Sequence, residues 1–202
     1  MKKLTILVVL LLITTGCTVV RIDTKNIDNI LNVVLSKDNS LYNRVGKGYK
    51  YYIPRGVSYI DTSDLNDKLY SNGNYYYLYI DAVSYFNKIE LDYSENKNAY
   101  YSKKITGEKE GYLEINELDG KYYIEFMYNY AKIETLVDKE DINDVVLNSS
   151  YILSTVKFNN DIIELMLEDD YFTNKEEKYD LFTPKKETES FLQYDDEEVE
   201  EK

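Results

Sequence analysis

The dipeptide Asp119-Gly120 restricts this chain more than any other short segment. It joins two β-rich arms, 112–118 and 121–133, and Asp-Gly suits the positive φ angles of a type I′ hairpin turn. A two-residue loop leaves one register. It sets Leu113 against Phe126 and Ile115 against Ile124 on one face, which reads as core. It sets Tyr112 against Met127, Glu114 against Glu125 and Asn116 against Tyr123 on the other. Any fold for this chain has to accommodate that hairpin, and so contains an antiparallel sheet.

Helical periodicity appears at two places. Ile27, Ile30, Leu31, Val34 and Leu35 recur at i, i+3, i+4, i+7 and i+8, which predicts an amphipathic helix over 24–37 with Asp23 or Thr24 as its cap. Ile142, Val145, Val146, Leu153 and Val156 form one stripe and predict a second helix over 139–157. Between them, 49–53 reads as a strand stopped by Pro54, with 57–60 as its continuation or a new strand. Residues 64–70 fit either a short helix capped by Ser63 or the first arm of a hairpin turning at Asn72-Gly73, and 75–81 is a strand in both cases. A last strand is expected over 161–167. The sum is an α+β fold, an antiparallel sheet packed against two amphipathic helices. Strands that follow a Tyr-x-x-x-x-Pro entry (49–54) and close in an amphipathic helix are also similar to the PsbP/Mog1-like α/β sandwich, which is the alternative architecture.

With 202 residues the chain can bury one core, and a single domain is expected over 24–184. From Lys185 the pattern dissolves, and Asp195, Asp196, Glu197, Glu198, Glu200 and Glu201 make an acidic tail over 185–202 that repels itself. The chain has no His, so mechanisms that need an imidazole are excluded, including Ser-His-Asp and Cys-His nucleophile systems and His-containing zinc sites. A net charge of -13 and only three arginines, Arg21, Arg44 and Arg55, oppose binding to phosphate backbones. No nucleic-acid partner is expected. The loop from Gly107 to Gly111 lacks the spacing of a phosphate-cradling loop, and 61–67 lacks the alternate oxygens and central Gly of a calcium loop, so neither a metal nor a cofactor is expected.

The N-terminus has the order of an export signal: Lys2 and Lys3, the apolar run Leu4 to Ile13, then the small residues Thr14, Thr15 and Gly16 before Cys17. Ten helical residues reach about 15 Å against a hydrocarbon core of about 30 Å, too short for a settled span. The run Ile13-Thr14-Thr15-Gly16-Cys17 resembles the lipobox of bacterial lipoproteins, with Thr14 standing where that family more often has Leu. The resemblance implies cleavage of a 1–16 signal peptide between Gly16 and Cys17, lipidation of the Cys17 sulfur, and residence on the extracytoplasmic face of a bacterial membrane. Cys17 is the sole cysteine, so no intrachain disulfide is available. Two or three acyl chains hold a protein durably on a bilayer. The tether up to Asp23 then keeps the domain within about 20 Å of the surface, taking roughly 3.4 Å per extended residue.

Candidate surfaces are few. Glu114 and Glu125 oppose each other on the presumed outer face near Lys121 and Lys132, and paired carboxylates at such a separation can share a proton, hold a cation or cleave a glycoside; as an exposed pair they would only cost stability. Tyr75, Tyr77 and Tyr79 alternate with Tyr76, Leu78 and Ile80, so one ring set enters the core and the other forms a strip able to stack on sugar or peptide. Arg55, after Pro54 at a strand end, offers with Arg44 the forked donors of an otherwise lysine-based chain, or pairs with one of its many carboxylates. The expected function is therefore non-enzymatic: a lipid-anchored module that binds another envelope component, a protein or a wall polymer. The alternatives are a carboxylate-dependent enzyme acting on envelope glycans and a small-solute-binding lipoprotein.

Overall fold

The computed structural model describes residues 22–63 and 65–168. The expected 1–16 signal peptide, Cys17 and the expected 185–202 tail lie outside the described residues, as does the last part of the domain expected over 24–184. The architecture is α+β, built on antiparallel sheets with helices packed against them.

Helix α1 (Ile27–Leu35) buries Ile30, Leu31 and Val34, the heart of the predicted stripe. Its cap is Asn26 rather than Asp23 or Thr24. Asn26 has extended backbone angles, and its side-chain oxygen accepts the Asn29 amide at 3.0 Å, while Asp23 is occupied one turn earlier by the Lys25 amide. Two short strands follow, β1 (Arg44–Val45) and β2 (Tyr49–Tyr51). Strand β3 (Ser58–Ser63) starts the large sheet, and β4 (Asn66–Ser71) and β5 (Asn74–Ile80) continue it as a meander. The segment before Asn72-Gly73 is thus the arm of a hairpin and not a helix. Asn72 and Gly73 take φ of +48° and +86°, as a type I′ turn requires.

After helix α2 (Ala82–Asn87) and residues 88–100, the chain reaches the far edge of the sheet at β6 (Tyr101–Ile105). It returns as a second meander, β7 (Gly111–Leu118), β8 (Lys121–Tyr128) and β9 (Ala131–Val137). The seven strands lie in the order β3-β4-β5-β9-β8-β7-β6, so β9 closes against β5 and makes one continuous antiparallel sheet. Every β7–β8 pair expected from Asp119-Gly120 is present. The second arm, expected as one strand over 121–133, is instead two strands. The chain reverses at Asn129-Tyr130, whose φ angles of +52° and +58° make a second tight turn. Tyr is an unusual occupant of that region and reads as a strand residue. Here it is held from outside, by the Asp81 amide on its carbonyl at 2.9 Å and by an edge contact with Tyr85. At Gly111 a Cβ would overlap the Met127 carbonyl oxygen, so glycine is what lets β7 begin flush against β8.

A 3₁₀ turn (Lys139–Asp141) leads into helix α3 (Ile142–Ser154), which lies on β8 and β9 and against α1. Ser149 and Ser150 at the middle of its buried face are small, which permits close approach. Strand β10 (Lys157–Phe158) pairs with β2, so that β1, β2 and β10 form a small second sheet. The strand expected over 161–167 is helix α4 (Asn160–Glu168). Asn159 caps it through the Ile162 amide, and Ile163 and Met166, three apart, are the residues it buries. Apolar residues at five of the six positions 162–167, broken only by Glu164, hid that helical spacing.

Residues of one parity on each strand, among them Leu69, Leu78, Ile133, Phe126, Ile124, Leu113 and Ile115, fill the core between the large sheet and the layer made by α1, α3 and the small sheet. Two buried tyrosines tie the small sheet down: the Tyr51 and Tyr49 hydroxyls donate to the same oxygen of Asp67, at 2.7 and 3.1 Å.

Candidate functional site

The opposite parity of the same strands carries a polar row across the other face of the sheet. Glu114 on β7 stands beside Glu125 on β8, and Glu125 stands beside Glu134 on β9. The row continues to Tyr77 on β5 and Lys68 on β4. The Glu114–Glu125 opposition was legible in the sequence; Glu134 was not, because its place depends on the Asn129-Tyr130 reversal. The pair is also not the exposed one expected. Glu125 and Glu134 keep only 13% and 11% of their side-chain surface, and Lys132 12%, so these charges need partners.

They have them. Lys132 Nζ lies 2.6 Å from Glu134 Oε1 and 4.0 Å from Glu125 Oε1. Lys121, expected beside the pair, reaches Asp138 instead, because it starts β8 and sits opposite Leu118 at the hairpin end. The Tyr112 hydroxyl donates to Glu125. Glu114 accepts the Tyr93 hydroxyl at 2.6 Å and the side-chain amides of Asn96 and Asn116 at 3.1 and 3.0 Å. Tyr93 belongs to residues 88–100, and its ring stacks on Tyr112 at 4.1 Å, forming with Leu91 and Met127 a small apolar cluster on this face.

Burial is the main force on these acids and phenols. It holds Glu125 above the ordinary carboxylate range, with Lys132 and the Tyr112 bond opposing and the neighbouring Glu134 and Glu114 adding to it. Burial first, and then adjoining carboxylates, hold Tyr112, Tyr123 and Tyr79 well above an ordinary phenol, so they stay protonated as donors. The chemistry open to the row is proton retention at Glu125. Among the described residues no three potential ligands converge on a metal position, and no glutamate of the row lines the cavity beside Tyr85 and Phe158 or the cleft beside Arg44 and Arg55.

The tyrosine strip lies on this same face and is graded along β5. Tyr75 is exposed, Tyr77 half-buried and Tyr79 buried. Lys68 Nζ sits 4.5 Å from the Tyr75 ring centre and 5.6 Å from that of Tyr77, and Lys132 Nζ sits 5.5 Å from that of Tyr79. Ammonium groups therefore occupy a face of each ring.

Arg55 is elsewhere. It lines an open cleft of about 520 Å³ together with Arg44, Asn43, Tyr52 and Tyr59. Tyr59 pairs with the core residue Leu69, so the cleft belongs to the helix side of the sheet and the strip to the other. The two candidate surfaces named from sequence are thus not one site.

No family model, curated protein or solved structure matches the chain. Among the described residues no helix is long and apolar enough to cross a membrane.

Proposed function

We propose that the chain is a membrane-tethered extracytoplasmic lipoprotein whose α+β domain binds another component of the cell envelope, a membrane protein or a wall polymer, without catalysing a reaction. The observation that carries this reading is Cys17, the sole cysteine, placed after Lys2 and Lys3, a ten-residue stretch from Leu4 to Ile13 that is apolar but for Thr5, and the small residues Thr14, Thr15 and Gly16. The domain's first helix begins soon after, at Ile27, so an anchor at Cys17 keeps the whole domain within reach of the bilayer.

The use made of the carboxylates favours binding over catalysis. A glycoside-cleaving pair needs two carboxyl groups facing a substrate cavity. Glu114 and Glu125 are instead engaged by Tyr93, Asn96, Asn116 and Tyr112 across a sheet face. The test is crosslinking in cells, followed by solubilisation, capture and mass spectrometry, beside a Cys17→Ala control. One dominant envelope partner captured only by the anchored form is the expected result. Equal capture by both forms would remove the role given to the anchor, and loss of a glycan-cleaving activity in Glu114→Gln or Glu125→Gln would replace the binding reading with an enzymatic one.

A further inference from the structure

We propose that the cleft between Arg44 and Arg55 is a binding site for a phosphate group carried by a small ester or a lipid headgroup. The inference goes beyond tethering and holds whether or not Cys17 is lipidated.

Charge is the first argument. The chain holds 37 acidic against 24 basic residues, so an arginine on its surface has carboxylates to choose from. The described ion pairs draw on lysines, as in Lys103–Asp28 and Lys132–Glu134, whereas neither Arg44 nor Arg55 pairs with a carboxylate among the described residues. Arg44 and Arg55 instead line one open cleft of about 520 Å³. The buried carboxylate of Asp67, whose charge acts with that of Arg44 on the Tyr49 phenol, is engaged by the Tyr49 and Tyr51 hydroxyls rather than by the arginine, so the cleft keeps forked donors that a ligand can use.

Preorganisation is the second. The Arg44 guanidinium carbon lies 3.6 Å from the centre of the Tyr59 ring, which orients the fork, and its buried Nε has no hydrogen-bond partner among the described residues. Arg55 sits at the tip of a tight turn closed by the Val57 amide on the Pro54 carbonyl at 3.1 Å. Gly56 supplies the φ of +90° that the next position of this turn requires, and its carbonyl is held by the Ser71 hydroxyl at 2.8 Å. Asn43 bonds both backbone groups of Ile53, at 2.7 and 2.9 Å, and so fixes the other wall. A site already ordered loses little entropy when it binds.

Ligand chemistry is the third. One carboxylate fills one fork and balances one charge. A phosphate monoester has three free oxygens and can carry two charges, and a diester headgroup carries one charge but keeps two free oxygens, one for each fork; Tyr52 and Tyr59 line the same space.

The test uses the full chain in neutral detergent, titrated calorimetrically with glycerol 3-phosphate and, at matched ionic strength, with acetate and with chloride. Saturable binding is expected for the phosphate ester alone. Arg55→Ala, an exposed position, is expected to weaken it about tenfold or more with melting unchanged, and Arg55→Lys by less, since it keeps the charge and loses the fork. Lys68→Ala on the opposite face should leave affinity unchanged. A second arm follows hydrogen exchange at 52–59 in phosphatidylcholine vesicles. Protection that appears on adding phosphatidylglycerol to the bilayer assigns the lipid headgroup, and protection by the soluble ester alone assigns the free phosphate. Equal heats from acetate or chloride, or unchanged affinity in a folded Arg55→Ala protein, would overturn the proposal.

Discussion

The two faces of the large sheet are made by the same strands and held by different physics. Toward the helices stand Leu78, Ile133, Phe126, Ile124, Leu113 and Ile115, each fully buried, whose contribution is area removed from water. One residue away along each strand stand Tyr77, Glu134, Glu125 and Glu114, also largely shielded but joined by directed bonds from Lys132, Tyr112 and Tyr93. A substitution on the first face is felt through volume. On the second it is felt through which donor or acceptor is left alone.

The largest expected effect is therefore on the helix side. Phe126→Ala should cost about 3–5 kcal/mol, read by chemical denaturation, because the surrounding sheet and α3 cannot collapse into the space. A loss no larger than that of a surface substitution would mean the two faces do not differ as described. Next comes Tyr112→Phe, which keeps the ring stack on Tyr93 and removes the donor to Glu125. Leaving a shielded carboxylate short of a bond should cost about 1–3 kcal/mol in the same assay.

Acidity separates the faces further. Because burial holds Glu125 above its ordinary 4.5, the native state binds that proton more tightly than the unfolded chain does. Native stability is then expected to rise as pH falls from neutral toward 4.5, and Glu125→Gln should flatten that rise while melting stays level or increases at pH 7. Asp28, held below its ordinary 3.8 by bonds from Lys103 and Tyr101, acts in the other direction: its stabilisation is present above that value and is lost on further acidification. Paired melting curves of the two proteins across this range check both signs. The smallest effect is expected at the Lys121–Asp138 contact, 3.9 Å long and half-exposed on both sides, where Lys121→Ala should change stability by less than about 1 kcal/mol.

Legibility in the sequence followed how local each signal is. Asp119-Gly120 carries its own turn chemistry, so the hairpin and all its pairings could be read from residues alone. Asn129-Tyr130 turns under outside control, from Asp81 and Tyr85, and nothing about a tyrosine announces it. Missing that turn hid both β9 and the third glutamate. Residues 161–167 misled for another reason: Ile162, Ile163, Leu165, Met166 and Leu167 are apolar at every period, and the Asn159 cap was the discriminating mark. The cleft of Arg44 and Arg55 joins β1 to the turn after Pro54. The sequence offers Arg44 beside Arg55 as a second forked donor, but the ring of Tyr59 that orients it comes from another sheet.

The tether is the claim on which the functional account stands, and intact-mass and peptide mass spectrometry of the protein purified from its own membranes tests it most directly. The account predicts an N-terminal peptide that begins at Cys17 and carries acyl chains on sulfur, recovered in the membrane fraction. A chain that keeps Met1, or one cut elsewhere with a free Cys17 thiol, would contradict it.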